Sequence, residues 1–200
     1  GTGLNSPTPT INVANPLLTV ALLGNIPNIS TITSFNKTGP GVLIFNAKGY
    51  TGDFNATALG APNQVQLLTD GNGTAGTENL NLGNVIFDAG QTPTIVVGRA
   101  GGTLPFPVAA NKRIIPNSVS NLGLGLTVTN NNNYGLVVNN AITVSGAAST
   151  YNVANASASN LVQGLELTGA ITATAGFTKA GAGTLVLGNS SNSIGGPINV

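Results

Sequence analysis

The sequence predicts an all-β solenoid, a single segment over residues 1–200 built of stacked turns of chain. Three observations carry this. FNKTGPGVLIFNAKGYTGDFNA from Phe35 and FTKAGAGTLVLGNSSNSIGGPINV from Phe177 align Phe35, Lys37, Gly39, Gly41 and Leu43 with Phe177, Lys179, Gly181, Gly183 and Leu185 without a gap. Such self-similarity marks units that cannot bury an apolar face alone, here near 35–56 and 177–200. The apolar runs VLIF, TIVVG, GLVV and TLVLG are almost continuous, which suits strands covered on both faces. Finally, no window sustains an apolar period of 3.6 over about 11 residues. A β-sandwich is the alternative, since short strands between Gly and Asn turns suit either architecture.

Taken in order, residues 1–34 hold Pro7, Pro9, Pro16 and Pro27, spaced so that no useful helix fits between them. Short strands are expected at Ile11–Val13, Leu17–Leu23 and Ile29–Thr33, then at Val42–Phe45 and Val65–Leu68. Thr69–Asn84 opens on Asp70-Gly71 and reads as a surface loop. Beyond it, Val85–Phe87, Thr94–Val97, Val108–Ala109, Leu122–Val128, Gly135–Val138 and Ala141–Val144 are short and β-prone. Leu161–Leu167 makes two helical turns if Gly164 is tolerated. The Asn-rich tract Thr129–Gly135 is either a polar loop or a place where stacked turns pair amides in ladders.

Composition excludes much chemistry. Charged residues are only 6% of the chain, so Asn, Thr, Ser and Gly must cover its surface. A net charge of +1 cannot make the basic stripe that nucleic acid requires. The adjacent Lys112-Arg113 reads as a solvated turn, with a partner contact as the alternative. Cys, His, Met and Trp are absent, so no disulfide, thiolate metal site, Cys nucleophile or His-based triad can form. The opening GTGLNSPTPT has neither Met nor a basic n-region, as expected of a chain whose signal was removed or of an excised segment. The longest apolar stretch, Leu17–Leu23, is well short of the roughly 20 residues that span a bilayer.

Three aspartates, Asp53, Asp70 and Asp88, followed by Arg99, are spaced so that a coil of matching length would stack them. Paired carboxylates of that kind act as general acid and base or hold Ca²⁺ against an acidic sugar. The competing reading makes them turn and capping residues beside Gly. Asp70, Asn72 and Glu78 offer a Ca²⁺ loop, although their spacing matches no EF-hand. N-x-S/T triplets at Asn28, Asn36 and Asn72 are expected by chance in a chain this rich in Asn, Ser and Thr. The G-x-G pairs lack the following x-x-G that would open a helix onto a nucleotide. Glycines there permit φ > 0 at a corner, Leu185 and Leu187 point into the rod, Phe177 stacks on an aliphatic neighbour, and Lys179 is a solvated corner charge.

The Phe177 segment resembles the passenger-associated repeat of bacterial autotransporters: Lys179, a G-x-G turn at Gly181 and Gly183, the T-L-x-L strand from Thr184, Leu185 and Leu187, then Asn189 and Gly195-Gly196. The Phe35 copy is more degenerate, with Pro40, Val42, Phe45 and Gly52-Asp53 replacing the small residue, Thr, the second Leu and Gly-Gly. The resemblance implies a right-handed parallel β-helix exported through the outer membrane, followed by a C-terminal outer-membrane barrel and displayed at the bacterial cell surface. Within the family, the low charge and abundant Asn, Thr, Gly and Ala look most like the large surface antigens of rickettsia-type bacteria.

The expected function is a non-enzymatic structural surface protein or adhesin without cofactor or metal, meeting a host-cell surface protein or glycan, or copies of itself. Two alternatives stand beside it. One is a carbohydrate-active β-helix using Asp53, Asp70 and Asp88, and the other a self-assembling surface-layer or filament subunit.

Overall fold

In the computed structural model, which describes residues 8–22, 33–46, 52–57, 64–68, 78–99, 112–131, 133–154 and 164–200, the chain is a parallel β-helix with three walls. The first wall is an eight-stranded sheet in the order β2 (Thr19–Leu22), β4 (Val42–Asn46), β6 (Gln64–Leu68), β9 (Thr94–Gly98), β11 (Gly125–Asn130), β14 (Thr150–Val153), β17 (Phe177–Ala180) and β20 (Ile198–Asn199). The second has five strands, β7 (Glu78–Leu82), β10 (Lys112–Pro116), β12 (Gly135–Val138), β15 (Leu165–Leu167) and β18 (Leu185–Leu187). The third is split. One part is β1 (Thr10–Asn12), β3 (Ser34–Thr38), β5 (Asp53–Ala56) and β8 (Val85–Phe87), and the other is β13 (Ile142–Thr143), β16 (Ile171–Ala173) and β19 (Ser193–Ile194). Both parts lie between the second and first walls in the path of the chain, so they form one face.

Every strand pair among the described residues is parallel, which excludes the sandwich. A rung therefore buries one face of each strand and stacks like on like. On the first wall Val65 pairs with Ile95, Ile95 with Val128 and Val128 with Val153, and all four are fully buried. On the second, Ile114, Leu136 and Leu165 do the same. The third wall stacks Phe35 on Phe54, centroids 6.1 Å apart and planes within 8°, with Val85 next in register. Each such aliphatic side chain contributes roughly 1.5–3 kcal/mol by leaving water.

Several sequence expectations are corrected here. Glu78–Leu82, read as loop, is strand β7, and residues 69–77 lie outside the described set. Leu165–Leu167 is a strand and not a helical turn, because each of its inward leucines finds a leucine of β18 in register, a reward that two helical turns lack. The strand expected from Leu122 begins at Gly125, after a short 3-10 turn at Leu122–Leu124. Lys112-Arg113 is no solvated turn: it opens β10, with Lys112 fully buried. Asp53 likewise begins a strand. Residues 29–32 and Val108–Ala109 lie outside the described set.

Among the described residues amide ladders form outside Thr129–Gly135, a tract whose Asn132 is not among them. Asn55 donates to Asn36 (2.7 Å), which donates to Thr10, and Asn117 donates to Asn84 (2.8 Å), which donates to Asp53 (2.7 Å). Asn130 instead turns inward and donates to the carbonyls of Tyr134 and Gly164. The sequon residue Asn36 is thus committed to a ladder. Asn28 and Asn72 are outside the described residues.

Candidate functional site

The proposed acidic ladder does not assemble between Asp53 and Asp88. Pairing of Phe54 with Val85 sets Asp53 opposite Asn84, whereas Asp88 is exposed beyond the end of β8. Four register positions separate the two carboxylates, about 13 Å along the strand. Asp70 and Asn72 lie outside the described residues, and Glu78 starts β7 opposite Lys112. Among the described residues no three His, Cys, Asp or Glu side chains group as metal ligands, and no helix is long and apolar enough to cross a membrane.

The doubled motif is a corner lock. Gly39 and Gly181 have φ of 79° and 77°, each just past its strand. A Cβ on Gly39 would lie 2.5 Å from Asn12 Oδ1 and 2.6 Å from the Val13 carbonyl oxygen. On Gly181 it would lie 2.5 Å from Asn152 Oδ1 and 2.3 Å from the Val153 carbonyl oxygen. The next glycines close the same contact, Gly41 and Gly183 donating at 2.8 Å to Val13 and Val153. Lys37 and Lys179 donate their ammonium groups to the carbonyls of Gly39 and Gly181.

Each lysine is in phase with the buried Phe two residues before it, so its stem enters the corner from inside. This corrects the solvated corner charge: Lys179 is half-buried and Lys37 has no exposed surface. Burial pulls the Lys37 ammonium below its ordinary pKa. Phe177 stands in register with the aliphatic Ile198 of the next coil and also packs edge-on against Tyr151 at 5.3 Å. Leu185 and Leu187 pack against the core as read.

The two copies use different corners. The Phe35 copy leads from the third wall to the first, and the Phe177 copy from the first to the second. The coil beneath each carries the same run, Asn12-Val13-Ala14-Asn15 and Asn152-Val153-Ala154-Asn155, a sequence signal for the lock that the motif alone did not reveal.

A concavity lies where the third wall is interrupted. After the bridge from Val85 to Val119, the ladder among the described residues does not pass to β13, which pairs with β16. The left-handed Asn121 (φ 59°) starts the 3-10 turn that displaces the chain here. Side chains replace the missing rung. Asn140 Oδ1 accepts from the Val119 N–H (2.8 Å) while Asn140 Nδ2 donates to the Val119 carbonyl (3.1 Å). Ser120 Oγ accepts from the Phe87 N–H at 2.9 Å, and Asn121 donates to the Phe87 carbonyl. Buried Tyr151 donates its hydroxyl to the Leu122 carbonyl at 2.9 Å, and loss of water pushes its pKa up to about 12.

This seam leaves a groove of about 380 Å³ lined by Ala89, Gly90, Val119–Leu124, Asn140–Thr143 and Ser145. The lining holds no ionisable side chain, and the Asn140 amide is spent on backbone through both its atoms. It supplies no general acid, base or activated nucleophile. Neither Asn140 nor Ser120 had a signal in the sequence, where both stand in ordinary polar loops.

A second brace crosses the outer side of the second wall, where Arg113 and Glu166 form an ion pair spanning β12. Val137, in the strand between them, points outward yet is only 4% exposed.

No family model matches this chain, and no curated protein and no solved structure matches it.

Proposed function

We propose that the chain is a segment of an exported, non-enzymatic surface rod, acting as a structural surface protein or adhesin of the autotransporter passenger type. The observation that carries this is the paired corner lock. The residues that resemble the passenger-associated repeat, Lys179, Gly181 and Gly183, close a corner of the β-helix on the preceding coil, and the degenerate copy at Lys37, Gly39 and Gly41 makes the same contacts; this supports the reading. The neutral groove and the separation of Asp53 from Asp88 favour contact over chemistry. A rod of this kind meets a host-cell protein or glycan through broad polar walls.

The test is surface display and adhesion. In the bacterium that makes the protein, an epitope placed at residue 74 should become accessible to antibody on intact cells, and beads coated with the segment should bind host cells. An epitope reached only after lysis would sink the location. Release of unsaturated or reducing sugars from acidic polysaccharide by the purified chain would sink the non-enzymatic reading.

A further inference from the structure

We propose that the seam groove is the head of a binding site for a neutral glycan chain, which runs from it along the outside of the third wall. The groove of about 380 Å³ adjoins a second concavity of about 280 Å³, and Leu124 and Ser145 line both. Sites for small molecules hold roughly 300–1,000 Å³. The strand beside the groove sets the direction of the chain. Ile142 and Val144 are buried, so Thr143 and Ser145 face outward, and both are exposed. Thr143 stands in register with Thr172, and Thr172 with Ser193, which makes one exposed hydroxyl per coil. Neighbouring rungs lie about 4.8 Å apart, close to the length of one pyranose residue in a linear chain. Successive sugars therefore meet successive hydroxyls.

The chemistry of the lining selects the occupant. The hydroxyls of Thr143 and Ser145 each give and accept a hydrogen bond, as sugar hydroxyls do. Ile142 and Val144 donate their N–H groups to the next coil, at Ala170 and Thr172, so alternation turns the Thr143 N–H and carbonyl towards the seam. Leu124, 42% exposed between the two concavities, offers an apolar platform for the C–H face of a ring. An extended peptide fits less well, because the backbone it would pair with is already held: Asn140 binds the N–H and carbonyl of Val119, and Ser120 and Asn121 bind those of Phe87. An acidic glycan would find no Lys or Arg in either lining or in the hydroxyl row.

Neither lining contains an aromatic ring, so each sugar is held weakly and affinity grows with the number of residues engaged. A tetrasaccharide that fills the groove and reaches the row should therefore bind better than the disaccharide of the same sugar. The inference rests on the adhesin reading, of which it names one partner and one site.

Saturation-transfer NMR on the 200-residue chain tests it, with cellotetraose, maltotetraose and chitotetraose as neutral probes and tetragalacturonate as the acidic one. At least one neutral tetrasaccharide should take up saturation, and more strongly than its disaccharide. Ala141→Arg fills the groove and Thr172→Arg interrupts the row; each should weaken binding roughly tenfold, the scale of a lost hydrogen-bonding partner. Val186→Arg, outward on the second wall, should leave it unchanged. Circular dichroism checks the fold, with Ala89→Arg, also exposed in the lining, replacing Ala141→Arg if that variant unfolds. No transfer to any neutral probe overturns the proposal. So does equal transfer to tetragalacturonate, or binding that survives both arginine variants. If coated beads still bind host cells in any of those cases, the adhesin reading stands and the groove is lost.

Discussion

Asn140 serves Val119 as a strand would, offering an acceptor to its N–H and a donor to its carbonyl from one side-chain amide. The third wall depends on this substitute because no described strand pairs with β13 on that side. Asn140→Leu keeps the bulk and removes both bonds, leaving two backbone groups without partners. The expected cost is about 2–4 kcal/mol in denaturant unfolding. Hydrogen exchange at Val119 should accelerate before exchange in the first wall does. Equal protection of Val119 in both proteins would show that the amide is dispensable.

Glycines at positive φ should separate into two classes. Gly39→Ala and Gly181→Ala each meet a valine carbonyl of the preceding coil within 2.6 Å. Each should cost about 2–4 kcal/mol, the left-handed penalty of roughly 1–2 kcal/mol plus the backbone shift. Gly90, with φ 77°, has nothing within 4 Å of its added Cβ, so Gly90→Ala should cost only about 1 kcal/mol. Thermal melts of the three variants decide whether contact or conformation dominates.

Alkaline pH should act through Tyr151 and Lys37 with opposite signs. The folded phenol titrates near 12, above the 10.0 of an unfolded tyrosine. Its contribution is complete below pH 10 and is lost as pH rises towards 12. Lys37 is lowered from 10.5, so its burial penalty is relieved as pH rises towards that value. Stability against pH should therefore fall less steeply above pH 10 in Tyr151→Phe, and the gain on approaching 10.5 should vanish in Lys37→Met. Parallel curves for wild type and both variants would refute the assignment.

The aromatic stack offers a measure of the third wall's core. Phe54→Ala removes the ring that Phe35 lies on, in a fully buried site. A loss of about 3–5 kcal/mol is expected from equilibrium unfolding. A loss below about 1 kcal/mol would mean that the neighbouring coils collapse into the space.

What the sequence made legible follows from side-chain type. Val85–Phe87, Thr94–Val97 and Gly135–Val138 are β-branched and apolar, and they stand as read. Ser34–Thr38, Asp53–Ala56 and Lys112–Pro116 were not read as strands. Asp53–Ala56 alternates but over only four residues, too short to stand out, while Lys37 and Lys112 turn a charged side chain inward and so break the alternation. The corner lock was half legible, since the motif named its glycines while their contacts lie in another coil. The seam was not legible, because it arises from one 3-10 turn displacing a rung and from which asparagine happens to face the gap.

The rungs also bound how far the chain must search while folding. Ser34 pairs with Asp53, 19 residues on, and Val85 meets Val119, 34 residues on. Among the described residues each strand pairs with strands of the adjoining coils, so loop closure between rungs stays cheap. Each finished turn leaves a bare row of N–H and C=O groups on which the following turn can be laid. A polypeptide arriving end first through a narrow opening would lose nothing by arriving slowly.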